Sequence, residues 1–149
     1  MGIYFKNYRS LFFFLLIYSI GFSNIATANS DAENFFQSGF KLFKKAKYEN
    51  AIENLANAIK LNPKVAKYHH ILAKSYGREA EQSGWLKAIR FAKKTQHHLE
   101  LAAKLDAENV EILNDLMNYY LKAPIFLGGD SKKASKINSK IEKLRLKEN

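Results

Sequence analysis

The chain has 149 residues, a single-domain length, and its 47% hydrophobic content is enough to bury a modest core, which excludes disorder over most of it. Two prolines and seven glycines among many Lys, Ala, Leu, Ile and Asn residues favour helices, and the lack of cysteine excludes disulfides, thiol chemistry and a lipidated cysteine. A formal charge of +10 makes anionic partners the ones its long-range field attracts.

Residues 1–28 have the composition of an export signal. Lys6 and Arg9 form a positive start, and Leu11 to Phe22 is an apolar run too short and interrupted for a membrane span. Ala26-Thr27-Ala28 then supplies the small-x-small pattern at which a signal peptidase cuts. Cleavage after Ala28 is expected; the alternative is an uncleaved anchor that tethers the rest at the membrane surface. Losing Lys6 and Arg9 lowers the charge from +10 to +8, so the exported chain, expected in the periplasm, stays basic. There it meets anionic lipids, cell-wall polymers and acidic proteins in place of nucleic acid.

The remainder, residues 29–149, carries helical spacing throughout. Ser30-Asp31-Ala32-Glu33 has the form of a capping box, in which hydroxyl and carboxylate satisfy orphan amides reciprocally, and the stripe Phe35, Phe36, Gly39, Phe40, Leu42, Phe43 and Ala46 follows. A second helix is predicted from Tyr48 to Leu61, with Ala51, Ile52, Leu55, Ala58 and Ile59 on one face. Asn62-Pro63 ends it, because the residue before proline avoids helical angles. Tyr68, Leu72, Ala73 and Tyr76 mark the next helix and Gly84 a turn. A long helix from Trp85 to Leu105 then shows Trp85, Ala88, Ala92, Thr95, Leu99 and Ala102 as its inner stripe. Ile112, Leu116 and Tyr119 open a further helix that stops at Pro124, and Ala134, Ile137, Ile141 and Leu144 define the last one.

Phe35, Gly39, Leu42, Tyr48, Ala51, Leu55, Ala58 and Pro63 fall at the spacings of the 34-residue tetratricopeptide repeat, a family this chain resembles. Small residues at Gly39, Ala51 and Ala58 let two helices approach, large ones fill the gap, and the proline breaks the chain before the next unit. The resemblance implies an all-α fold of antiparallel hairpins, about 31–62, 65–106 and 109–147, stacked as a short α-solenoid. Extra residues near Gly84 interrupt the repeat register. The stretch Tyr120-x-x-Ala123-Pro124, with Leu127-Gly128-Gly129 after it, resembles one found in a group of exported bacterial tetratricopeptide proteins.

In that family the first helix of each unit lines a concave surface that holds peptide segments, and register assigns Phe36, Phe40 and Phe43, then Lys67, His70, Lys74 and Arg78, then Leu113, Met117 and Tyr120 to it. The expectation is a basic centre between apolar ends, suited to an extended segment with a central carboxylate. The lysine and asparagine set with which some members clamp a C-terminal carboxylate is not matched. Phe36, Phe40, Ile71 and Val110 stand at its positions.

Other signals are weaker. His69 and His98 are predicted at similar heights on adjacent helices and are the candidates for a shared Zn²⁺ or Cu²⁺ ion; a third ligand is not evident, and local hydrogen bonding is the plainer expectation. Gly128-Gly129-Asp130-Ser131 lacks the spacing of a phosphate loop and fits a helix start capped by Asp130 or Ser131. Lys136, Lys140, Lys143 and Lys147 share one face of the last helix opposite Ile137, Ile141 and Leu144, so that helix can dock by its apolar side and present charge to an anionic membrane. No nucleophile constellation, carboxylate pair or nucleotide fingerprint appears, so no enzyme activity and no cofactor are expected. The sequence therefore predicts an interaction scaffold of the cell envelope that binds a peptide or partner protein. The alternative is a small-ligand or Zn/Cu-binding accessory of an envelope transporter, and self-association through an uncapped apolar end is a further expectation.

Overall fold

The computed structural model describes Thr27 and residues 29–148, with side chains through Lys147. The leader expected at residues 1–28, its cleavage after Ala28 and its reading as an anchor lie outside the described residues except for Thr27. Among those residues every regular element is helical. These are α1 over 29–44, α2 (Tyr48–Leu61), α3 (Ala66–Gln82), α4 (Trp85–Leu105), α5 (Val110–Lys122), a 3-10 turn (Ile125–Leu127) and α6 (Ser131–Glu148). None of the described helices is long and apolar enough to cross a membrane.

Close approach of α1 and α2 is set by small residues. A Cβ at Gly39 would lie 2.7 Å from Leu55 Cγ and 3.2 Å from the Ala51 carbonyl, so only glycine lets the two backbones meet there. Their partners run in opposite order along the chain: Phe43 meets Tyr48 at one end, and Asn62 Nδ2 donates to Asn29 Oδ1 at the other, so the helices are antiparallel. The turn between them closes by a Schellman arrangement, with Lys47 N bonded to Leu42 O (3.0 Å) and Ala46 N to Phe43 O (2.9 Å). Ala46 adopts φ 56°, the left-handed conformation normally given to glycine, and is exposed; its place in the α1 apolar stripe is corrected accordingly. The capping box at Ser30 is also corrected. Asn29 and Ser30 are already helical, and the Glu33 carboxylate reaches across to α3.

The middle of the molecule is α3, buried almost all round from Tyr68 to Tyr76 because it packs on α2 and, most extensively, on α4. Antiparallel pairing of α3 with α4 follows from His69 beside His98 and Tyr76 beside Phe91. A first core gathers Phe36, Leu55, Ala58, Tyr68, Leu72 and Tyr76 from α1, α2 and α3, and a second joins Ala73 to Leu99, Leu116, Tyr120 and Ala134. Helix α4 packs on α5, and α5 on α6, so neighbours in sequence are neighbours in space. Trp85, expected on the inner stripe of α4, lies at its margin in the first turn and is 72% exposed.

Candidate functional site: a groove along α3

Phe36, Phe40 and Phe43 sit on successive turns of α1 and face α3. Phe36 and Phe40 stack with centroids 5.9 Å apart, and Phe36 stacks on Tyr68 at 5.0 Å, so Phe36 forms a buried floor while Phe40 and Phe43 stay half-buried. Opposite them α3 offers Lys67, His70, Ile71 and Lys74, and the start of α5 contributes Glu111 and Ile112. The cleft they enclose is about 330 Å³. A second cavity, about 440 Å³, continues from it, since Phe43 and Lys74 line both. Its walls are mostly small or apolar, with Ala73, Gly77, Ala92 and Leu99 below and Pro124 and Leu127 at one side, while Arg78, Glu81 and Lys122 bring charge to its lining. The two together make a groove that follows α3 from Lys67 to Glu81.

Of the residues singled out from the sequence, Phe36, Phe40, Lys67, His70 and Lys74 line the first cleft, and Lys74 and Arg78 line the second. Met117 and Tyr120 are not brought to either. Tyr120 is 5% exposed, donates to Glu100 Oε1 at 2.6 Å and packs in the core with Ala134; Met117 is half-buried against the same core, and Leu113 is buried. Because α5 is covered by α4 on one side and α6 on the other, its buried arc is wider than a repeat-register argument allows.

The expected basic centre is also corrected, because acids on α1, on α5 and on α3 itself neutralise it. Lys67 Nζ lies 3.0 Å from Glu33 Oε2, Lys74 Nζ is 3.2 Å from Glu111 and 3.5 Å from Asp115, and Arg78 pairs with Glu81 at 3.0 Å. The buried His70 donates from Nε2 to Asp115 at 2.7 Å. That bond, which outweighs burial, together with Lys74 holds the Asp115 carboxyl below the usual aspartate range. Burial alone would raise Glu33, but hydrogen bonds from Gln37, Lys67 and Tyr68 outweigh it and leave the carboxyl lowered. Burial and the same carboxylate push the Tyr68 phenol up to about 12. Glu33, Glu111 and Asp115 are thus site residues that sequence reasoning missed. One signal was available for the first, because Glu33 and Lys67 stand 34 residues apart, the period of the repeat that the sequence resembles.

His70, Glu111 and Asp115 have ligand atoms within 4.8 Å of one another, a geometry able to hold a cation. Lys74 already places its ammonium on both carboxylates, so a metal ion would have to displace it. The predicted proximity of His69 and His98 is met: their Nδ1 atoms are 3.0 Å apart and the rings stack at 5.2 Å. His69 Nε2 lies 2.9 Å from the Pro63 carbonyl, which only accepts, so that nitrogen carries the proton. In neutral His69, Nδ1 then accepts from His98 Nδ1–H. Burial, with His69, His97 and Lys94 nearby, pushes His98 down to about 4.

The Gly128-Gly129 segment borders the second cavity through Leu127. Gly128 is left-handed at φ 90°, and a Cβ on Gly129 would lie 1.8 Å from the Ala123 carbonyl, so each glycine is required for a different reason. Asp130 Oδ1 accepts from Lys133 N at 3.0 Å and caps α6, the arrangement expected of a helix start. Compared with protein-family models and with curated protein sequences, the chain matches none. What its structure defines is a class, the all-helical proteins whose successive helices pack on one another.

Proposed function

We propose that this protein is an exported interaction scaffold, a short tetratricopeptide-type stack that binds an extended peptide segment of a partner in the groove along α3. One observation carries the reading: five residues chosen by repeat register, Phe36, Phe40, Lys67, His70 and Lys74, line a single cleft between α1, α3 and α5. Such a groove offers apolar anchoring at Phe40 and Phe43 beside alternating charges. Its occupant is a segment with an apolar side chain followed by charges of both signs, since positive charge alone is already balanced by Glu33, Glu111 and Asp115.

The test is selection from a random peptide library on the full chain. Selected peptides should share an apolar anchor, and Phe40→Asp and Arg78→Glu should each weaken binding at least ~10-fold, the exposed Arg78→Glu with the unfolding temperature unchanged. Peptides that bind both variants as well as the parent would remove the groove from the account. Lys74 is a poor choice for this purpose, because reversing it strands Glu111 and Asp115.

A second reading has its own observation. The 440 Å³ cavity, walled by small apolar residues with a few charged groups in its lining, is of the size that holds a small amphipathic ligand, as an accessory of a transporter would. Native mass spectrometry of protein prepared from its own envelope would reveal a co-purified ligand, and a bare chain mass would count against it.

A further inference from the structure

The segment after α5 is built with more care than a connection needs. Leu127 N and Gly129 N bond to the Pro124 carbonyl at 2.9 and 3.1 Å, Gly128 N to Ile125 O at 2.9 Å, and Asp130 N to Tyr120 O at 3.0 Å. The Tyr119 hydroxyl lies 2.7 Å from Leu127 O and 2.9 Å from Ala92 O, which pins the turn to α4. This rigid frame holds two large apolar side chains out in water. Ile125 is 90% exposed and Phe126 70%, and Leu121, one helical turn earlier, is 59% exposed. Singly exposed apolar residues are ordinary; adjacent ones at the crest of a braced turn are not.

The chain around this crest is predominantly basic, although Asp130 closes the turn and Glu81 and Asp115 line the cavity that Pro124 and Leu127 border. From residue 84 to 99, the part of α4 on which the turn is pinned, the chain carries Lys87, Arg90, Lys93 and Lys94 and no acid. From 116 to 129 it carries Lys122 and no acid. Helix α4 also opens with two exposed apolar side chains, Trp85 and Leu86.

We infer that the turn Pro124–Asp130 is a membrane prong: Ile125 and Phe126 enter the interface of an anionic lipid bilayer while Lys122 and exposed cations of α4, other than the Lys94 that packs on Tyr76, contact its headgroups. An apolar point among cations matches a bilayer surface, where a negative layer covers an apolar one. A second copy of the chain is disfavoured as occupant by the positive charge both would carry. Bracing removes the cost of ordering the prong on contact, which is what its hydrogen bonds accomplish. The two inserted side chains, Ile125 and Phe126, line neither cleft, although Lys122, Pro124 and Leu127 beside them border the second.

The full chain includes the apolar stretch Leu11 to Phe22, which is able to hold it on any bilayer, so the test must read one position at a time. The native chain has no cysteine, which permits a single thiol at Phe126→Cys and, as a control on exposed α6, at Ser139→Cys, each bearing a polarity-sensitive fluorophore. With vesicles of phosphatidylglycerol and phosphatidylethanolamine, the probe at 126 should shift to the blue and brighten several-fold, while the probe at 139 stays as in water. Phosphatidylcholine vesicles or high salt should abolish most of the change. Equal signals from the two positions, or a signal at 126 indifferent to vesicle charge, overturn the inference. So does a signal that rises with protein concentration without vesicles, which would assign the prong to a second copy.

Discussion

His98 shows how far a residue's chemistry departs from its type once it is packed. Its ring lies against His69, His97 and Tyr76, and it titrates near 4 where an exposed histidine titrates near 6.5. In the unfolded chain it takes up a proton near 6.5, and in the folded protein only near 4. The stability this difference represents is therefore whole above pH 6.5 and is lost progressively as the pH falls to 4. With allowance for its partial contact with solvent, the loss should be ~1–3 kcal/mol, most of it between pH 6.5 and 4.5. Denaturant unfolding at pH 7 and pH 5 should record that decline, and His98→Gln should flatten it. Asp115 does not confuse the measurement, since its carboxyl is already lowered from 3.8 and its contribution is lost only below that value. None of this was legible in the two His-His pairs by themselves. Counting outward from Gly84 placed His69 and His98 at one height, but the accepting carbonyl of Pro63 and the burial that depresses His98 depend on how α3 and α4 roll against each other.

At the scale of elements, the local signals that worked were those with a local cause. Asn62-Pro63 ends α2 because proline forbids helical angles before it, and Asp130 caps α6 with its own side chain. Signals whose cause lies on another element failed: Glu33, expected to cap its own helix, is drawn to Lys67 and Tyr68 on α3. Glycines divide in the same way. Gly84 has φ −61° and open space around its Cβ position, so Gly84→Ala should change stability by less than ~0.5 kcal/mol. Gly129→Ala drives a methyl into the Ala123 carbonyl and should cost ~2 kcal/mol or more, dislodging the 125–127 turn. Thermal unfolding of the two variants separates them. Similar melting temperatures would mean that the turn is not the braced element described above.

For the whole molecule, α6 is the test of cooperativity. It buries Ala134 and Ile141 and half-buries Ile137, and it covers Leu116 and Tyr120 of α5. At ~1.5–3 kcal/mol for each large apolar side chain re-exposed, a chain ending at Asp130 loses an amount comparable to the whole stability of a small domain. Such a chain should unfold or aggregate, as sedimentation and circular dichroism would show. A truncated form that melts at the parent temperature would mean that α6 is an appendage.

The sequence alone determined which segments are helical, where α2 and α4 begin and end, and most of the apolar positions that face inward, Ala46 and Trp85 excepted, because propensity, capping and periodicity act within a few residues of their cause. It also brought together the α1 and α3 side of the groove, since residues 34 apart, Phe36 with His70 and Phe40 with Lys74, line one cleft. Only the tertiary structure decided that the groove's cations are balanced by Glu33, Glu111 and Asp115, that Tyr120 turns into the core, and that Ile125 and Phe126 stand out in water. Those outcomes depend on the roll of one helix against the next, and a rotation of a few tens of degrees, invisible in a 3.6-residue period, exchanges a buried side chain for an exposed one.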